Sequence, residues 1–213
     1  MKVYSIFVHP NAQSLTARLF NIANKHFVSK GYEVETLDLF QVHDALQESV
    51  EILYSNPVPD PVKKYRSSYH HNYTKIISEF SAREIEKLKH ADILYIQTPI
   101  LVWMVPAILK LYIESVIVPE GTFVPHDIWS EDFHIDKLLE GKKIFVSLVM
   151  GTGIPCCNYV MGSVDNMLNP IKSVFDFVGY EWMDPHITWG TSQTIDKRQD
   201  YLDAFQQHLD KLF

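Results

Sequence analysis

Three short stretches carry the residue types from which a binding site can be built. The first is His9-Pro10-Asn11-Ala12-Gln13-Ser14-Leu15-Thr16, where hydroxyl and amide side chains precede an apolar helical repeat. A helix start leaves backbone N–H groups unpaired and points its positive dipole end outward, so this stretch is either a phosphate site or a capped surface turn with a histidine in it. The second is Pro99-Ile100-Leu101-Val102-Trp103-Met104-Val105-Pro106, which is apolar where a loop is normally polar. A planar aromatic ligand held edge-on to the backbone explains it, because free N–H groups address ring heteroatoms while side chains cover a face. Burial against a helix or a partner subunit explains it equally well. The third, Gly151-Thr152-Gly153, lets a ligand approach the backbone closely or simply makes a tight turn.

Competing chemistries have weaker support. Gly151-Thr152-Gly153 begins like a dinucleotide G-x-G-x-x-G, but Cys156 stands in the third glycine's place. The chain has no G-x-x-x-x-G-K-S/T, no G-x-S-x-G elbow and no H-E-x-x-H. Its two cysteines, Cys156 and Cys157, are adjacent, which excludes a disulfide framework and makes both packing residues of a protein from a reducing compartment. His70-His71 lies among Tyr65, Tyr69 and Tyr73 without further spaced ligands, so no metal site is expected.

The chain has 213 residues, of which 46% are hydrophobic and 21% charged, a composition that fits one globular domain over residues 1–213. Its net charge of -7 comes without a basic stripe, which argues against nucleic acid as a partner. No apolar run approaches the roughly 18 residues a membrane helix needs, and the N-terminal run is too short for a signal peptide. A soluble, cytoplasmic protein is expected.

The elements that must position the three stretches follow a strand–turn–helix rhythm. Residues 3–8 read as a first strand, followed by a helix capped by Ser14 with Leu15, Leu19, Ile22, Ala23 and Phe27 at helical spacing. Residues 33–39 form a second strand, and residues 41–81 show none. Residues 82–90 read as a helix, and Asp92 to Thr98 is an apolar run suited to a central strand covered on both faces. A helix follows Pro106, residues 119–141 form a long connection, and residues 143–150 supply the fourth strand. A helix over about 161–178, a fifth strand near 180–189 and a last helix over 196–212 complete the pattern. This is an α/β doubly wound parallel sheet of five strands. Its ligands belong at the carboxyl ends of the strands, which is where the three stretches lie.

Together these stretches resemble the flavodoxin-like NAD(P)H:quinone oxidoreductases, the family of DT-diaphorase, the modulators of drug activity and the potassium-efflux ancillary oxidoreductases. His9-Pro10 with Ser14-Leu15-Thr16 is similar to the family's phosphate loop, and Pro99 through Lys110 (PILVWMVPAILK) to its aromatic loop and following helix. Gly151-Thr152-Gly153 with Tyr159 and Gly162 resembles the segment after strand four; Asn169-Pro170-Ile171 and Phe177-Val178-Gly179-Tyr180 resemble the next helix and its end. The resemblance implies a flavodoxin-like strand order of 2-1-3-4-5. It implies that His9, Ser14, Leu15 and Thr16 bind flavin phosphates and ribityl, and that Pro99, Ile100, Leu101, Val102, Trp103 and Met104 cradle the ring. Gly151, Thr152 and Gly153 would complete the ring site, and Tyr159 would be the catalytic tyrosine. FAD, with FMN as the alternative, would pass a hydride from NADPH or NADH to a quinone-like acceptor. The resemblance also implies a homodimer with the site at the interface. A second reading is a flavin- or nucleotide-sensing subunit of a membrane partner with little turnover. The chain departs from the family pattern in having Val102 for the first loop aromatic and no pocket histidine near Asp165.

Overall fold

The structure is a computed structural model that describes residues 1–54, 77–126, 131–192 and 198–213. The His70-His71 pair falls outside them. Among the described residues the elements are β1 (Lys2–Phe7), α1 (Leu15–Ser29), β2 (Glu33–Asp38), α2 (His43–Tyr54), α3 (Glu79–His90), β3 (Ile93–Pro99), α4 (Ala107–Val116), β4 (Phe123–His126) and β5 (His134–Lys137). They continue with β6 (Lys143–Val149), α5 (Ile154–Met161), α6 (Val164–Val178), β7 (Glu181–Trp182), β8 (His186–Thr188) and α7 (Arg198–Leu212).

The main sheet is parallel in the order β2-β1-β3-β6-β7, with β8 also paired to β6. The expected order holds, but the fifth strand is split. Residues 183–185, with Pro185 among them, interrupt it, so β6 pairs with β7 at Lys143–Ile144 and with β8 at Ser147–Val149. Proline cannot donate to a ladder, which is why a continuous strand fails here. Residues 41–81, where no strand was expected, contain α2 and the start of α3, and the long connection of residues 119–141 contains the antiparallel β4–β5 ribbon. The helix expected over about 161–178 is α6, and an unexpected helix, α5, precedes it, parted from it at Gly162 and Ser163. Gly162 has φ +80°, a left-handed conformation that ends α5. Ser163 then caps α6 by accepting from the Asn166 N–H at 3.1 Å.

Strand β3 is buried along its whole length, and β6 is buried from Ile144 onward. That explains their nearly continuous apolar sequences, because helices cover both faces. On one face Leu46, Ile85, Leu88, Leu109, Tyr112, Ile171 and Phe175, from α2, α3, α4 and α6, pack against Ile6, Leu94 and Ile96. On the other, Leu19, Ala23 and Phe27 of α1 and Phe205 and Leu209 of α7 pack against Val3, Tyr95 and Phe145. The first face also contains a buried polar cluster. Tyr4 Oη donates to Glu84 Oε2, Tyr112 Oη lies 3.4 Å from the same oxygen, and Lys87 Nζ bonds Glu84 Oε1 at 2.9 Å.

Candidate functional site

The sheet order reverses between β1 and β3, and a crevice opens outside the carboxyl ends of strands at such a point. All three stretches of the sequence analysis meet there, since β1, β3 and β6 are neighbours. Val8 N–H donates to Gln97 O at 3.0 Å and Ile100 N–H to Val149 O at 3.0 Å, so each loop leaves the sheet beside the next.

In the first loop His9 Nδ1 accepts from the Asn11 N–H at 2.9 Å, which leaves the donor N–H of a neutral ring on Nε2. Asn11 Oδ1 accepts from the Gln13 N–H, and Ser14 caps α1 by accepting from the Ala17 N–H at 3.1 Å. The N–H groups of Leu15 and Thr16 have no acceptor among the described residues. No acidic residue occupies the first turn of this helix, so its positive end is not neutralised from within.

The second loop is a two-residue hairpin turn. Leu101 N–H donates to Met104 O at 2.8 Å and Met104 N–H to Leu101 O at 3.0 Å, with Val102 at φ +49° and Trp103 at φ +65° between them. Positive φ at both central positions is the mark of a type I′ turn, which normally takes Asn-Gly or Gly-Gly. A valine and a tryptophan there store strain, as functional loops often do. The Val102 side chain is 92% exposed, and the N–H groups of Val102 and Trp103 have no acceptor among the described residues. Val102→Gly should therefore stabilise the protein by about 1 kcal/mol, since the relief of left-handed strain exceeds glycine's entropy cost. Urea unfolding measures it, and a lower midpoint would overturn the strain argument.

In the third loop the peptide carbonyls are taken. Met150 O accepts from the Thr191 N–H at 3.1 Å, Gly151 O from the Ser192 N–H at 3.3 Å and Thr152 O from the Gly190 N–H at 2.9 Å. The N–H groups of Gly151, Thr152 and Gly153 have no acceptor among the described residues, and Thr152 Oγ1 is buried without a partner. Buried polar groups are nearly always paired, so this orphaned hydroxyl fits a polar atom of a bound group.

Tyr159 is placed differently. It is 91% exposed on α5, where Ile154 and Val160 are also exposed, as Leu101, Val102 and Met104 are on the hairpin turn. Both elements follow neighbouring strands at the carboxyl end of the sheet, so their exposed apolar residues flank the loops. Cys157 is buried and packs against Met167, while Cys156 is exposed. What sequence reasoning missed is the segment 190–192. Its only sequence signal is a small polar Gly-Thr-Ser run after the last strand.

The loops thus offer an anion-ready helix end, an apolar turn with free donors and a second turn with donors and an orphan hydroxyl. That set fits a phosphate attached to a flat, heteroatom-bearing ring. The family model described as flavodoxin-like fold matches residues 1–213. The chain is 24% identical over 217 residues to the ribosyldihydronicotinamide dehydrogenase (quinone) of Mus musculus, covering 100% of this chain and 92% of that protein. Among solved structures, a Klebsiella pneumoniae protein assigned provisionally to the quinone reductases is 23% identical with a TM-score of 0.78, over 100% of this chain and 85% of that one. An FMN-dependent NADH-azoreductase of Bacillus anthracis in complex with FMN is 18% identical with a TM-score of 0.65, over 99% of this chain and 98% of that one.

Proposed function

This chain belongs to the flavodoxin-like fold family, and from that premise we propose that its strand-end loops hold a flavin and that it is an NAD(P)H-dependent oxidoreductase delivering two electrons to a quinone or similar acceptor. The observation that carries this reading is the set of unpaired backbone donors at three adjacent strand ends: Leu15 and Thr16, Val102 and Trp103, and Gly151 to Gly153. In this reading His9 Nε2, Ser14, Leu15 and Thr16 hold the phosphate at the helix end. Pro99, Ile100, Leu101, Val102, Trp103 and Met104 form one wall of the ring site, with Trp103 supplying an aromatic surface. Gly151, Thr152 and Gly153 form the other, and their N–H groups stabilise negative charge on the ring's polar edge. Bound flavin supplies the two-electron relay between nicotinamide and acceptor. The loops orient the ring and keep water from one face.

Tyr159 is the proton-donating residue of this reading, in a homodimer whose second copy covers it together with the exposed Leu101, Met104, Ile154 and Val160; the exposure of these residues supports that arrangement. FAD is the cofactor of this reading and FMN the alternative. No helix among the described residues is long and apolar enough to cross a membrane. The two free cysteines fit a reducing compartment, and the cytoplasm is the location proposed.

Reconstitution with FAD and with FMN, followed by anaerobic NADPH and then a quinone, tests the reading. Stable uptake, bleaching by NADPH and recovery of colour on adding quinone are expected. Trp103→Ala should raise the flavin Kd about tenfold through loss of its aromatic contact. Uptake of neither flavin would overturn the reading, and uptake without reduction would favour the sensing subunit instead.

A further inference from the structure

The carbonyls of Met150, Gly151 and Thr152 are all held by residues 190–192. A trans peptide is planar, with its C=O and N–H pointing in opposite directions. When Met150, Gly151 and Thr152 turn their carbonyls toward residues 190–192, the N–H groups of Gly151, Thr152 and Gly153 must point away from that segment. Two side chains reinforce the grip: Thr191 Oγ1 donates to Met150 O at 3.1 Å, and Ser192 Oγ donates to Gly151 O. Met150 N–H in turn donates to Thr188 O at 2.8 Å, so the strap continues the β8–β6 ladder beyond Thr188. Gly190 has φ +72°, the left-handed conformation that lets the chain fold back over the loop, and an added Cβ would meet nothing within 4 Å.

We propose that residues 190–192 are a positioning strap, with Thr191 and Ser192 as positioning residues that orient the backbone donors of residues 151–153 toward the flavin ring. The proposal rests on the flavin reading given above. Without the strap the loop's peptide groups, two of them flanking glycines, are free to flip, and a flipped peptide presents a carbonyl oxygen where a donor is needed. A carbonyl there repels the electron-rich reduced ring more than the oxidised one. The strap therefore acts on the preference for reduced flavin as well as on binding itself.

The test compares the wild-type protein with Thr191→Val/Ser192→Ala and with Thr191→Ser, which keeps a hydroxyl. Amide hydrogen exchange of residues 190–192 is read without flavin. The flavin Kd is read by titration, and the midpoint potential by spectroelectrochemistry. In the double variant the strap amides should exchange about tenfold faster and the flavin Kd should rise about tenfold, as expected for two lost hydrogen bonds. Its potential should fall because reduced flavin loses more than oxidised flavin, whereas a purely packing role would weaken both states alike. Thr191→Ser should behave as wild type. Unchanged amide exchange, or equal loss of affinity in both oxidation states, would overturn the strap while leaving the flavin site standing. No flavin uptake by the wild-type protein would overturn the flavin reading and the proposal with it.

Discussion

Replacing Glu84 with alanine should destabilise the protein by about 3–5 kcal/mol, the cost of breaking a buried charged cluster by removing one partner. Glu84 is 2% exposed, yet it is the hub of contacts from two other elements and from its own helix. Tyr4 of β1 donates to it, Tyr112 of α4 lies 3.4 Å away, and Lys87, one turn further along α3, bonds it at 2.9 Å. Alanine leaves both phenols without that acceptor. Neither can escape by ionising, because burial, the largest cause holding both well above the usual tyrosine range, persists when the Glu84 charge is gone. Lys87 suffers less, since Glu35 of β2 stays 3.2 Å away and the lysine is partly in water. Glu84→Gln keeps an acceptor oxygen and the volume but loses the charge, so it should cost about 1–3 kcal/mol. Guanidinium unfolding at unchanged m-value measures both, and the alanine variant should melt about 10 °C lower. A loss below about 1 kcal/mol for alanine would mean that the cluster behaves like a surface ion pair.

Stability should also fall steeply between pH 6.5 and pH 4, with His186 as the largest single histidine contribution. His186 of β8 lies under α7, its ring 4.8 Å from Phe205 and 5.2 Å from His208. Burial first and His208 second push its pKa down from 6.5 to about 4, with Asp184 opposing. The folded state therefore holds fewer protons than the unfolded chain in that window. The contribution is fully present above pH 6.5 and is lost as pH falls toward the folded pKa. A shift of this size is worth roughly 3 kcal/mol. His26, where α1 meets Gln206 and Asp210 of α7, moves in the same direction, by burial and then by Lys30. Both histidines sit where α7 docks, so acid should loosen the C-terminal helix. His186→Asn should flatten the profile, narrowing the stability difference between pH 7 and pH 4 by roughly 3 kcal/mol relative to wild type. An unchanged slope in that variant would show that His186 is not the group being titrated.

The parallel sheet was legible because a strand covered on both faces is mostly apolar, so residues 92–98 and 143–150 announce themselves by composition. The end of β1 and the capped start of α1 were legible for a similar reason: Ser14 and the apolar repeat behind it are local signals. Elements that depend on distant partners were not. The four-residue strands β4 and β5 exist through pairing with each other, from Phe123 opposite Lys137 to His126 opposite His134; the proline of β4 and the polar residues of β5 give no strand signature. Helix α2 buries Leu46 and Ser49, a narrow face that reads as a helix only once α4 and α3 pack against it. The site divides in the same way. The sequence by itself determined which loops follow the strand ends and which side chains they carry, because strand and helix periods are properties of the local chain. The tertiary structure alone decided which way the loop peptides face, since every residue brings the same N–H and C=O and only a partner elsewhere in the chain orients them. For Met150 and Gly151 that partner is a hydroxyl 41 residues away, too distant for any local pattern to reveal.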